Sequence, residues 1–157
     1  MTGPPSAHTP KAFMEHALAL SREAAGAGEV PVGAVLAFPD GLLFEGMNRT
    51  KAGSPLAHAE IEVLQKALGA RSRHGLSRAT LYVTLEPCLM CLGAMTLARI
   101  GGLVYACPEP RFGGVTTLRA LWKDERYPHR FPITSGLGAD EAKELMQAFF
   151  RNRRREV

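Results

Sequence analysis

The stretch "ATLYVTLEPCLMCLGAM" (79–95) decides how this chain is read. Its first part, "ATLYVTL" (79–85), is β-branched and aromatic and predicts a strand. Pro87 then suits the first turn of a helix over 88–98, whose "GAM" segment allows close packing. At that junction Cys88 and Cys91 form a C-x-x-C. Three chemistries use such a pair. A redox couple would need flanking context that this segment lacks. A structural zinc site would need four protein ligands, yet one cysteine remains, Cys107, and there is no second C-x-x-C or H-x₃₋₅-H. A catalytic zinc needs three protein ligands and an open position, and the missing nitrogen has to come from elsewhere in the chain.

The candidate donor lies in "AHAEIEVL" (57–64), where His58 and Glu60 stand two positions apart as a helix begins. Metalloprotease pairs stand four apart on one helical face. Two apart on a helix, the side chains diverge by about 200° at roughly 3.6 residues per turn. At a first turn, however, side chains reach past the helix end toward a common point. Unpaired N–H groups there also favour thiolates at Cys88 and Cys91. Each motif is weak alone; together, at loop-to-helix junctions, they favour the catalytic site with His58, Cys88 and Cys91 as ligands. Charge assigns Glu60. Two thiolates and a neutral imidazole already balance Zn²⁺, whereas an unligated carboxylate beside bound water can take its proton and pass it on. The bland alternative is a first-turn carboxylate favoured by the helix dipole.

Outward from these motifs the chain reads as alternating helices and strands. Residues 1–9 are expected to be a flexible leader and 10–157 a single domain. Phe13, Met14, Ala17, Leu18, Ser21 and Ala24 follow helical spacing, ended by Gly26 and Gly28. "VPVGAVLAF" (30–38) and "LLFEGMN" (42–48) form a hairpin about "PDG". A second helix runs from His58 through Ile61, Leu64 and Leu68 to Gly69. Beyond the C-x-x-C helix come a strand at 102–107, an irregular loop "PEPRFGG" (108–114), a short helix at 118–122 and a strand at 130–136. A last helix over 139–153 carries Ala142, Leu145, Met146, Phe149 and Phe150 on one face. Alternating strands and helices indicate an α/β layered fold, and the hairpin makes its sheet mixed.

Composition bounds the rest. The 157 residues are 46% apolar and 22% charged, with net charge +4, and the pI is about 9.2. An anionic partner is permitted but not demanded, and much of the excess sits in "RNRRRE" (151–156). Three cysteines make no disulfide framework and fit a reduced compartment. With neither a signal peptide nor an apolar run long enough for a bilayer, a soluble cytoplasmic protein is expected, with no membrane contact. His8, His16 and His74 have no partner at ligand spacing. His129 is a loop candidate to line the site, Cys107 reads as a buried small hydrophobe, and Trp122 as core or contact alike.

"HAE" followed by "PCLMC" resembles the zinc-dependent cytidine/adenosine deaminase superfamily. The likeness extends to its bacterial tRNA-specific adenosine deaminase branch through "EVPVGAV" (29–35), "NR" (48–49), "AHAEI", "LYVTLEPCLMC", "GAM", "ARIGGLVY" (98–105) and "FFRNRRRE" (149–156). The resemblance implies a three-layer α/β/α sandwich around a five-stranded mixed sheet, acting as a homodimer. It implies one Zn²⁺ per subunit held by His58, Cys88 and Cys91, with Glu60 as proton shuttle. Asn48, Val32 and Pro87 would meet the substrate, and Glu109, Arg111, Phe149, Phe150, Arg151, Arg153 and Arg154 are the possible RNA contacts. The implied reaction is deamination of adenosine to inosine at the tRNA wobble position. The alternative within the superfamily is a free base or nucleoside such as guanine or cytosine. A non-catalytic RNA-binding subunit with a structural zinc is the third reading, and an intact Glu60 argues against it. Two segments depart from the branch: "SPL" (54–56) before the HAE, and "EPRFGG" (109–114) where Asp-x-Lys-Thr-Gly-Ala is usual.

Overall fold

A computed structural model describes residues 8–156, and the side chains of Arg73 and His74 are not described. Most of the expected leader, residues 1–7, therefore lies outside the described residues. The elements run α1 (Pro10–Gly26), β1 (Gly33–Ala37), β2 (Leu43–Met47), α2 (Ala59–Ala70), α3 (Arg73–Leu76), β3 (Thr80–Leu85), α4 (Leu89–Ala98), β4 (Gly102–Cys107), α5 (Val115–Leu121), β5 (Ile133–Ser135) and α6 (Ala139–Arg155). Thr9 caps α1 by accepting the Ala12 N–H on its hydroxyl at 3.1 Å, and Pro10 fits the first turn because it has no N–H to satisfy.

The five strands form one sheet in the order β2-β1-β3-β4-β5. β1 is antiparallel to both β2 and β3, while β3, β4 and β5 are mutually parallel. Both faces are covered, so β1 is buried at every position. Ala34 and Leu36 face a core shared with α2, α4 and α5, through Val63, Leu64, Leu92, Met95 and Leu118. Val35, Ala37 and Tyr82 face the opposite core, built with Phe13, Met14 and Leu18 of α1 and Ala142 of α6. Period-two alternation thus feeds two hydrophobic layers from one strand, giving the expected α/β/α arrangement.

Three boundaries differ from expectation. Gly69 lies inside α2, which ends one residue later, and Leu68 is exposed. α5 begins at Val115 rather than 118, and β5 is only three residues long. Pro132 has no N–H to give a ladder, so β5 is confined to the residues after it. α4 matches its expected span with Cys88 as its cap, and Arg99 closes it in the left-handed region (φ 56°). One close approach fixes how α2 meets the sheet: a Cβ on Gly46 of β2 would stand 2.7 Å from the Ala59 carbonyl oxygen. Glycine there lets the start of α2 settle against β2.

Candidate active site

Because β1 and β3 are antiparallel, the C-terminal end of β3 lies beside the N-terminal end of β1. Helices α2 and α4 start at this same end of the sheet, outside the C-terminal end of β3, where open α/β sheets collect ligands. His58 is the cap residue of α2 and Cys88 that of α4; both have extended backbone, and neither side chain caps its own helix. They turn toward each other instead. The Cys88 and Cys91 sulfurs lie 3.7 Å apart, and the His58 Nδ1 is 3.7 Å from Cys88 Sγ and 3.4 Å from Cys91 Sγ.

These separations test the donor set against a metal. A tetrahedral zinc with Zn–S about 2.3 Å and Zn–N about 2.05 Å separates its ligand atoms by about 3.8 Å (S to S) and about 3.6 Å (S to N). The triangle formed by the three side chains has those dimensions, and it is the one such His/Cys/acid cluster among the described residues. Two thiolates this close repel each other, so the proton affinities of the two sulfurs are driven apart. Hydrogen bonds from Cys91 and then from His58 pull the Cys88 thiol down to about 4. The hydrogen bond to Cys88, together with burial, pushes the Cys91 thiol far up. The His58 imidazole is raised by its bond to Cys88, against the effect of burial. A divalent cation relieves this conflict by favouring both thiolates. One imidazole and two sulfurs fit Zn²⁺, with the fourth position left to the cavity.

Glu60 is 4% exposed, and burial raises its carboxyl to about 7, opposed by a backbone hydrogen bond and the charge of His58. It stands beside Cys91 yet outside the three-ligand cluster. A buried carboxyl with raised proton affinity, in the cavity wall next to the three-residue cluster, is suited to accept and return a proton. It lines a cavity of about 440 Å³ with Val30, Val32, Asn48, Thr50, His58, Leu85, Glu86, Cys88, Glu109 and Phe112. That volume is within the range for small-ligand sites, about 300–1,000 Å³.

The matching family model, the cytidine and deoxycytidylate deaminase zinc-binding region, covers residues 7–107 and includes all four of His58, Glu60, Cys88 and Cys91. The chain belongs to this zinc-binding deaminase family. It is 37% identical over 145 residues to the tRNA-specific adenosine deaminase of Bacillus subtilis, covering 92% of this chain and 90% of the relative. A solved structure from work on A-to-I editing by tRNA:A34 deaminases at the wobble position of transfer RNA superposes with TM-score 0.75 at 40% identity, covering 85% of this chain and 97% of the other. The guanine deaminase of Nitrosomonas europaea is similar too, with TM-score 0.71 at 29% identity over 90% of this chain and 84% of that one. The protein is thus a zinc-binding deaminase with a hydrolase's metal site, and its five-stranded mixed sheet matches those deaminase structures.

Of the other residues singled out in the sequence, Asn48, Val32 and Glu109 stand in the cavity wall. Pro87 is buried beside it, and its carbonyl accepts the Gly114 N–H at 2.9 Å. Arg111 is exposed, its backbone N–H bonded to Glu109 Oε1 at 2.8 Å. Phe149 and Arg153 border a second hollow of about 300 Å³ together with Lys51, a neighbour of Thr50 in the deaminase cavity. Phe150, Arg151 and Arg154 are exposed on the same helix.

His129 does not line the cavity; its Nε2 lies 2.7 Å from the Ile100 carbonyl. Cys107 is buried with its thiol toward the Thr84 carbonyl, and Trp122 packs edge-on against Phe131. His16 pairs with Glu45 at 2.7 Å on the surface.

Sequence reading missed Val30, Thr50, Leu85, Glu86 and Phe112. The clearest missed signal is Glu86, directly before Pro87-Cys88. Its carboxylate accepts the N–H groups of Glu109 and Val115 at 3.3 and 3.2 Å, holding both ends of the 108–114 loop. A Cβ on Gly113 would overlap that carboxylate, so the glycine lets the loop lie flat against it.

Proposed function

We propose that the protein hydrolyses adenosine to inosine at the wobble position of a tRNA anticodon, releasing ammonia. The observation that carries this reading is the placement of Glu60: buried, outside the His58–Cys88–Cys91 triangle, and in the wall of the same cavity. Zn²⁺ held by those three residues would supply Lewis-acid activation of a water. Glu60 takes a proton from the attacking water and gives it to the ring nitrogen, then takes the remaining proton from the hydroxyl now on the ring carbon and gives it to the departing amine. The water oxygen joins the ring carbon, the carbon–nitrogen bond breaks, and ammonia leaves. Val32 and Asn48 bind the base or its ribose from the β1–β2 side, while Pro87, buried behind the wall, helps to seat the 108–114 loop through its bond to Gly114.

RNA rather than a free base is favoured by the surroundings of the mouth. Phe112 is 75% exposed although it lines the cavity, and a splayed loop base stacks on such a ring. Lys51, Arg153 and Phe149 continue from the rim onto α6, where Arg151 and Arg154 add positive charge for phosphates. The relatives described as tRNA-specific adenosine deaminases support the same choice. The second reading, a free base or nucleoside, rests on the guanine deaminase likeness and on the proline-bracketed 108–114 loop.

The chain acts as a homodimer in this reading. Helix α4 is apolar all round: Cys91, Leu92, Met95 and Ala98 face the core, while Leu89, Met90 and Leu97 face outward, Leu97 at 74% exposure. A helix of that kind needs cover on both sides. The site abuts this face, since Leu89 follows Cys88 directly. Three cysteines without a disulfide among them agree with a cytoplasmic setting.

The test is Glu60→Ala. It should keep one zinc per chain and lose all measurable inosine formation on an anticodon stem-loop RNA. Loss of zinc from that variant would make Glu60 a ligand and overturn the assignment.

A further inference from the structure

We propose that Glu29 is a positioning residue that sets the amide orientation of Asn48 through Thr50, and so fixes which hydrogen-bonding group the cavity presents to its substrate. This rests on the reading that Asn48 touches the base or ribose. Glu29 lies in the turn after α1 and is 3% exposed, and it makes no ion pair among the described residues. A buried carboxylate without a cationic partner is costly unless hydrogen bonds replace its water. Here one loop provides all of them. The Lys51 N–H lies 3.0 and 3.1 Å from the two carboxylate oxygens, and the Ala52 N–H lies 2.9 Å from Oε1. The Thr50 hydroxyl reaches Oε2 at 3.4 Å. Successive N–H groups turned to one point form a concavity for an anion, and Glu29 fills it from across the chain.

The loop it grips joins two ends of the active site. It leaves β2 at Asn48, whose N–H bonds the Val32 carbonyl at 3.0 Å, and it enters α2 at His58. Donor chemistry gives the hydrogen bonds a direction. An ionised carboxylate only accepts, so in the contact between them the Thr50 hydroxyl is the donor and Glu29 the acceptor. Its lone pairs are left for Asn48, whose Nδ2 lies 3.5 Å away. The amide nitrogen of Asn48 is thereby committed to Thr50, and its carbonyl oxygen is the end offered to the cavity. A substrate meeting Asn48 is one that donates a hydrogen bond there, such as a ribose hydroxyl or an amino group. A neutral amide at position 29 would remove this constraint, since Gln could donate to Thr50 and reverse the chain.

Two variants test this in the zinc-loaded protein. Glu29→Gln should raise KM about tenfold with kcat changed far less, on whichever of stem-loop RNA or free guanine the wild type turns over. Thr50→Val keeps the backbone bonds but breaks the relay, and it should give the same rise. The double variant should be no worse than either single one, because both act through one amide. Hydrogen exchange provides an arm that needs no substrate: the Lys51 and Ala52 amides should exchange at least tenfold faster in Glu29→Gln, and at the wild-type rate in Thr50→Val. Additive KM effects, a KM unchanged in Thr50→Val, or unchanged exchange at residues 51 and 52 in Glu29→Gln would each overturn the proposal. Should RNA prove inert and guanine be the substrate, the tRNA reading fails while this one stands or falls on the same cycle.

Discussion

Glu60 shows how a single carboxylate acquires its role from placement. At the second position of α2 the helix dipole would favour its ionised form, but burial raises its carboxyl to about 7. That His58 and Glu60, two apart, both reach one cavity was legible in sequence, because side chains at a helix mouth can converge past the helix end. Glu29 and Glu86 were not legible as loop anchors, since apart from the Thr50 hydroxyl their partners are backbone N–H groups more than twenty residues away that carry no side-chain signature. Glu29 also has a pH consequence. Burial alone would raise its pKa, but the Ala52 and Lys51 N–H groups and the Thr50 hydroxyl hold it below its ordinary 4.5. A depressed folded-state pKa gives stability that is complete above that ordinary value and is lost as pH falls through the lower one. Urea denaturation of the wild type should therefore weaken below about pH 4.5 more steeply than that of Glu29→Gln. Parallel acid limbs in the two proteins would show that Glu29 carries no such linkage. Removing a ligand acts differently: Cys88→Ser should lower zinc occupancy at least tenfold in dialysis against a chelator, as a poorer donor replaces a thiolate.

At the scale of elements, the site is made where two helix starts meet the ends of the interior strands β1 and β3. The strand–C-x-x-C–helix unit was readable because its residue types change abruptly at Pro87, and β3 and α4 appear within a residue of expectation. β5 and α5 were less readable. Thr116 and Thr117 disguise the first turn of α5 as extended chain, and only three residues of 130–136 find a ladder partner on β4. α3, a single turn between α2 and β3, has too few residues to show a period. Tertiary contact decides these short elements, not local propensity. The same contact makes Gly46 a sensitive point. Gly46→Ala drives a methyl group into the Ala59 carbonyl, and should cost about 1–3 kcal/mol of stability and weaken zinc binding by displacing His58. Full zinc affinity in a stable Gly46→Ala protein would mean that α2 is not seated by that approach.

At the scale of the whole molecule, strand order was beyond the reach of periodicity. Nothing local says that β1 pairs with both β2 and β3, although that pairing brings Val32 and Asn48 to the C-x-x-C. The resemblance to deaminases implied a five-stranded mixed sheet, which the structure shows, but it did not give the order of the strands. The outward stripe of α4 was equally hidden, because an apolar helix reads the same whether one face or two are covered. If that stripe joins two copies, Leu97→Glu should shift the species seen by light scattering from dimer to monomer and lower activity, since the stripe abuts Cys88. A Leu97→Glu protein of unchanged mass would place the dimer contact elsewhere. No described helix is long and apolar enough to cross a membrane, and Phe149 and Arg153 of α6 border a separate hollow with Lys51, the residue after Thr50 of the cavity wall. The measurement that bears most directly on the function is ammonia release by the zinc-loaded protein on a panel of tRNA with an adenosine wobble base, free guanine, free cytosine and their nucleosides. Release from the tRNA, with inosine appearing at the wobble position and the free bases inert, is the predicted result. Turnover of a free base or nucleoside with the tRNA untouched would contradict it.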